Sequence, residues 1–155
     1  MARTALNKKV PAFSATVSGD KKIKLTDFKD SKLIIYFYPK DNTSGCTMEG
    51  LDFKAAYRKF RSRGAHILGV SRDSLISHEN FRKKYKFQFD LISDPNEKLC
   101  QLFDAIKMKN MYGRKVRGIE RSTFLIDDKG ILRGEWRKVK IKGHVSNVLN
   151  AIDEL

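Results

Sequence analysis

Residues 33–38 are apolar or aromatic at every position, and 67–70 repeat the pattern over a shorter length. Unbroken apolar runs of this size predict central strands covered on both faces, since a half-exposed strand would alternate with polar residues. Between the two runs, Cys46, Gly50, Phe53, Tyr57 and Phe60 recur at alternating spacings of four and three, which predicts a helix over 46–61 with those residues on its inward stripe.

Weaker patterns extend the series. Asp73 and Ser74 are cap-type residues ahead of a helix running through Phe81 and Tyr85, and 89–92 reads as a short strand. Asp94, Pro95 and Glu97 suggest a helix start at Asp94, with a proline in the first turn and an acid three residues after the cap, leading to Phe103. Residues 123–126 and 131–136 flank Asp127-Asp128-Lys129-Gly130 and predict a hairpin. A last helix from about His144 would bury Val145, Val148, Leu149 and Ile152, and an early hairpin is expected from 13–17 and 22–25.

Composition fits one enzyme-sized domain over residues 1–155: 41% of the 155 residues are hydrophobic, and no proline- or glycine-rich linker or internal repeat divides them. The opening residues lack the apolar stretch of a secretory signal, and no run approaches the ~18 apolar residues of a membrane span. A cytoplasmic protein without membrane association is expected. Two cysteines make no disulfide framework and suit a reducing compartment with a working thiol.

The candidate chemistry lies where the first central strand gives way to the first helix. Pro39, Thr43 and Cys46 form the pattern Pro-x-x-x-Thr-x-x-Cys. Pro39 lacks an N–H and ends the strand ladder. Thr43 offers a hydroxyl that can accept from a backbone N–H or hold a small polar substrate. Cys46 falls in the first helical turn, where unpaired N–H groups and the helix dipole favour the thiolate, the reactive form of sulfur.

This segment resembles the active-site loop of the peroxiredoxins, thiol peroxidases of the thioredoxin-like fold. The stretch Gly118-Ile119-Glu120-Arg121-Ser122-Thr123-Phe124-Leu125-Ile126-Asp127 is similar to the strand that carries the family's arginine, here Arg121. The tail from Trp136 to Val145 resembles the bacterioferritin comigratory protein (peroxiredoxin Q) branch, and Asp94 to Cys100 matches as well. The resemblance implies a thioredoxin-like α/β fold, a central mixed sheet flanked by helices, extended here by the N-terminal hairpin. It implies Cys46 as peroxide-attacking nucleophile, with Thr43, Gly45 and Arg121 holding the peroxide and Glu49 orienting Arg121. Peroxide is then the substrate, the reductant is thioredoxin, glutaredoxin or glutathione, neither cofactor nor metal is needed, and a monomer or weak dimer is expected.

Two departures qualify the resemblance. Many members of the branch carry a second, resolving cysteine five residues after the first or in the following helix. Here those places hold Leu51 and the cysteine-free stretch 77–84. Cys100 is the other thiol and the remaining candidate resolver, although a packing role is favoured for it. Ser44 stands where proline is usual. Thirty-two Lys and Arg against eighteen Asp and Glu give a net charge of +14, crowded into 107–121 and 133–142. Such a field suits nucleic acid or anionic surfaces, but aromatic residues are not interleaved with the basic runs, so a solvated basic surface is the favoured reading.

Overall fold

The computed structural model describes residues 3–155. The chain opens with β1 (Ser14–Val17) and β2 (Lys21–Lys24), the expected hairpin, followed by a 3-10 turn at Leu25–Phe28. β3 (Lys32–Phe37), α1 (Ser44–Ala55), α2 (Tyr57–Ser62), β4 (Ala65–Ser71), α3 (Leu75–Tyr85) and β5 (Asp90–Ser93) form two successive strand-helix-strand crossovers. α4 (Lys98–Leu102), the pair β6 (Ile106–Met111) and β7 (Arg114–Ile119), β8 (Ser122–Ile126), β9 (Leu132–Trp136) and α5 (His144–Asp153) complete the order.

Seven strands make one sheet in the order β2-β1-β5-β4-β3-β8-β9. β3, β4 and β5 are mutually parallel, and β8 returns antiparallel to β3 with Phe37 opposite Ser122. The unbroken apolar run of β3 is explained by its central position. Its alternate residues Leu33, Ile35 and Phe37 pack into one core cluster with α4, while Ile34 and Tyr36 pack into a second cluster with α1, α3 and α5. This is the thioredoxin-like mixed sheet with helices on both faces that the sequence predicts.

Three local expectations are corrected. The first helix starts at Ser44 and breaks at Ala56, whose φ of −94° and ψ of 3° lie outside the helical well, so α1 and α2 are separate segments. The break leaves Phe53, Ala56 and Phe60 all buried. Asp94 does not begin a helix with Pro95 in its first turn. Glu97 adopts a left-handed φ of 61° ahead of α4, and Asp94 reaches forward to accept from the backbone N–H groups of Leu99 (3.1 Å) and Cys100 (2.8 Å). The basic stretch around 107–119 forms the two-stranded β6–β7 ribbon, which the sequence reading did not anticipate; its apolar residues are too few to show an alternating face.

α1 packs closely on Phe87, in the segment between α3 and β5, because Gly50 has no side chain. A Cβ placed there would sit 2.6 Å from Cζ of Phe87. Phe87 is itself stacked on Tyr85 and Phe89, so the helix and an aromatic layer meet at a position where the helix surface is bare backbone.

Candidate active site

The edge where β3 ends is where the candidate residues meet. β3 runs into the loop 38–43, and antiparallel pairing of Phe37 with Ser122 brings Arg121, just ahead of β8, level with the start of that loop. α1 then turns back over the sheet and places Cys46 and Glu49 on its buried face.

Arg121 joins the two. Its Nη1 donates to Glu49 Oε1 at 2.7 Å and its Nη2 approaches Cys46 Sγ at 3.4 Å. Cys46 is 2% exposed and Glu49 fully buried, whereas Arg121 is half-buried. Gly45 makes room for this fork: a Cβ there would lie 3.3 Å from Nη2 of Arg121 and 3.4 Å from Cδ1 of Ile141. The segment carrying Ile141 is tied over the site by the N–H of Val139, which donates to the Arg121 carbonyl at 3.0 Å.

Burial pushes the Glu49 carboxyl up to about 7, and the Arg121 charge only partly opposes it. Burial works against the Arg121 charge, but Glu49 and Cys46 outweigh it and hold the guanidinium above its ordinary value. Among the described residues Glu49 Oε2 has no hydrogen-bond partner, so the carboxylate spends its bonding on Arg121. A rigid planar donor fixed at one end by a buried acid presents its other end to sulfur in one orientation.

Thr43 is placed differently from expectation. Its hydroxyl does not cap α1; it donates to the Lys40 carbonyl at 2.8 Å and is exposed. The Thr43 carbonyl instead accepts the first helical bond, from Thr47 N–H at 2.9 Å. The N–H groups of Ser44, Gly45 and Cys46 precede that bond and have no acceptor within the helix. Pro39 is half-buried, two residues beyond the end of β3.

Cys100 is not brought to the site. It is fully buried in the cluster around Leu33, Ile35 and Phe37, on the sheet face opposite Cys46, and burial and then Asp94 push its thiol well above the ordinary range. Leu51 is 39% exposed, one turn beyond Cys46 on α1.

The structure adds neighbours to which the sequence assigns no place at the site. His144 is buried, its Nε2 lies 2.7 Å from the Thr123 hydroxyl, and burial followed by the Arg121 charge lowers it to about 4. Lys109 on β6 reaches the Ile119 carbonyl; burial, then Arg121, lowers it. Asp41, Asp73 and His78 bring ligand-type atoms within 4.8 Å of one another. Those atoms are engaged by Tyr38, Ser71, Ser77 and each other, so the cluster reads as a hydrogen-bond network. Part of the basic surface is also spent internally: Arg72 and Arg117 pair with Glu97, and Lys107 with Asp104.

The family model described as AhpC/TSA family matches residues 6–135. Peroxiredoxin Bcp of Xanthomonas campestris is 59% identical over 120 residues, covering 77% of this chain and 75% of that protein. Peroxiredoxin Bcp of Bacillus subtilis is 41% identical over 150 residues, covering 97% and 96%. The chain belongs to the AhpC/TSA family, in its peroxiredoxin Bcp branch. Among solved structures, the Xanthomonas campestris bacterioferritin comigratory protein, studied for alkyl peroxide reduction, superposes with a TM-score of 0.88 at 51% identity over 92% of this chain and 90% of that one. A mutant of Xylella fastidiosa PrxQ gives a TM-score of 0.93 at 40% identity over 99% and 98%. The peroxiredoxin is therefore a thiol-dependent peroxidase, and no helix among its described residues is long and apolar enough to cross a membrane.

Proposed function

We propose that Cys46 is the peroxidatic residue and that hydrogen peroxide and organic hydroperoxides are its substrates. Sγ attacks one peroxide oxygen, the S–O bond forms as the O–O bond breaks, and the leaving oxygen takes a proton to depart as water or alcohol. Cys46 is left as a sulfenic acid. Negative charge spreads from sulfur onto the leaving oxygen in the transition state, so fixed donors near both atoms supply much of the rate. The observation that carries this reading is the Arg121 fork, bonded to Glu49 at 2.7 Å and directed at Sγ at 3.4 Å. In this reading Glu49 orients the guanidinium, the free N–H groups of Gly45 and Cys46 donate to the peroxide, and the Thr43 hydroxyl, its proton given to the Lys40 carbonyl, accepts from a peroxide O–H.

An external thiol, glutathione or a thioredoxin- or glutaredoxin-type protein, then attacks the sulfenic sulfur directly, releasing water and leaving a mixed disulfide that a second thiol reduces. Leu51 stands where a resolving cysteine would be, and Cys100 lies across the sheet, which favours this one-cysteine cycle. The cytoplasm suits such a cycle because its thiol pools are kept reduced. We read the whole chain as one domain, because the two core clusters pack on opposite faces of the same sheet. Stopped-flow peroxide consumption by Cys46→Ser tests the assignment: consumption should vanish, and a wild-type rate in the serine protein would overturn it.

A further inference from the structure

A buried polar network lies beneath the loop that delivers Cys46, and the chemistry at sulfur does not use it. Asp41, midway between Pro39 and Thr43, is 6% exposed, and His78, from the second turn of α3, is fully buried. The Tyr38 hydroxyl donates to Asp41 Oδ1 at 2.6 Å, and the Ser77 hydroxyl donates to Oδ2 at 2.8 Å. His78 Nδ1 meets the same Oδ2 at 2.7 Å, while its Nε2 lies 2.9 Å from the Ile92 carbonyl. A carbonyl can only accept, so Nε2 donates, and the imidazole spans from β5 to the loop.

The loop is fastened again on either side of this contact. The Asp41 N–H donates to Asp73 Oδ2 at 2.9 Å, and Ser71 Oγ donates to the same oxygen. Asn42 turns through a left-handed φ of 61°, and its side-chain oxygen accepts from Lys84 Nζ at 3.2 Å and from the Tyr85 hydroxyl at 3.3 Å. Every one of these partners, apart from Tyr38, belongs to β4, α3, β5 or the turn between β4 and α3. The catalytic loop is therefore clamped to the crossover beyond it. None of the clamping bonds involves Cys46, Glu49 or Arg121, so the network can influence reaction only by setting where the loop sits and how often it leaves.

That distinction matters because the two halves of the cycle make opposite demands. A peroxide is small and needs the donors around Sγ held in place. A thiol reductant is larger, and a sulfur that is 2% exposed offers it no approach while the loop is closed. We propose that the His78–Asp41 contact is a latch on the catalytic loop, and that its opening governs the rate at which a thiol reaches oxidised Cys46. His78 and Asp41 are positioning residues in this scheme, which rests on the peroxidase reading above.

The test compares wild type with His78→Gln, whose longer amide can still reach the Ile92 carbonyl but no longer meets Asp41, and with Ser77→Ala, a milder change that removes one donor to Asp41 and leaves the imidazole in place. Stopped-flow mixing measures the reaction of reduced protein with hydrogen peroxide and, separately, of the sulfenic form with glutathione. Amide hydrogen exchange is followed across 41–47. Amide exchange in His78→Gln should quicken by about tenfold, the size expected for losing a hydrogen bond to a charged group. Its glutathione step should accelerate severalfold while its peroxide step slows, with Ser77→Ala moving in the same directions by less. A merely structural role would not split the two steps in opposite senses. Unchanged exchange across 41–47, or both steps slowed together in Ser77→Ala, would overturn the latch. Failure of wild-type Cys46 to consume peroxide would instead overturn the underlying reading.

Discussion

Cys46 and Cys100 lie on opposite faces of one sheet: the first packs with Ile34, Tyr36 and Tyr38, the second with Leu33, Ile35 and Phe37. β3 stands between them, and its side chains point alternately to each. A disulfide requires Cα atoms within about 7 Å, a separation that a strand with side chains filling both faces does not permit. Cys100 is also fully buried, with its thiol held protonated by burial and the neighbouring Asp94, which removes the nucleophile a resolving residue needs.

Cys100→Ser should therefore retain full peroxide turnover with an external thiol. Non-reducing mass analysis of peroxide-treated wild type should show sulfenic, over-oxidised or mixed-disulfide Cys46. A high yield of an internal Cys46–Cys100 bond, together with lost turnover in Cys100→Ser, would mean that the sheet opens far enough to pass one sulfur to the other.

Arg121→Lys keeps a positive charge and loses the fork. A lysine ammonium is a point donor and cannot hold Glu49 Oε1 and Sγ in the fixed geometry of Nη1 and Nη2. Removing one well-placed donor commonly raises a barrier by on the order of 3 kcal/mol, so kcat/KM for peroxide should fall by about a hundredfold. Melting temperature should change little by comparison, and an unaltered kcat/KM would place Arg121 outside the reaction.

Much of this arrangement is legible in the sequence because it rests on local signals. The unbroken apolar run of β3, the stripe from Cys46 to Phe60, and Asp127-Asp128-Lys129-Gly130 between two strands each reflect a rule that acts within a few residues. The latch from His78 to Asp41 is not local. It joins residues 37 positions apart whose types are individually unremarkable, and only the parallel pairing of β3, β4 and β5 brings them together. Thr43 shows the converse: a cap-type residue at the N-cap position whose hydroxyl turns to the Lys40 carbonyl. The β6–β7 ribbon was hidden because its exposed faces carry cations, with Met108, Met111 and Tyr112 left in solvent.

The buried acid gives the fold a pH dependence of definite sign. Burial raises the Glu49 carboxyl to about 7, above its ordinary value, so between the two the native state holds a proton that the unfolded chain has released. Stability from this group is thus fully present below the ordinary carboxylate range and is lost as pH rises through about 7, by on the order of 3 kcal/mol. His144, lowered to about 4 by burial, acts in the opposite sense over more acidic pH, its contribution being lost as pH falls toward 4. The difference between wild type and Glu49→Gln isolates the acid. Chemical denaturation should show Glu49→Gln gaining on wild type as pH rises from 5 to 8, and a constant difference across that range would contradict a buried, titrating carboxyl.

Gly50→Ala sets helix propensity against packing. In an exposed helix interior the change would stabilise by roughly 0.5–1 kcal/mol, since alanine restricts the unfolded chain and glycine does not. Here the new methyl would fall 2.6 Å from Phe87 Cζ, well inside contact distance. Phe87 has little room to yield, being stacked on Tyr85 and Phe89 at centroid distances of 6.0 and 5.1 Å and edge-on to Phe81 at 5.1 Å. Overpacking of this kind costs about 1–3 kcal/mol, which outweighs the propensity gain, so the variant should be less stable than wild type in chemical denaturation. If α1 relieves the clash by shifting away from Phe87, it carries Glu49 and Cys46 with it and widens their contacts with Arg121. The peroxide rate should then fall along with stability. A variant more stable than wild type with an unchanged peroxide rate would show that the aromatic layer gives way and the helix does not.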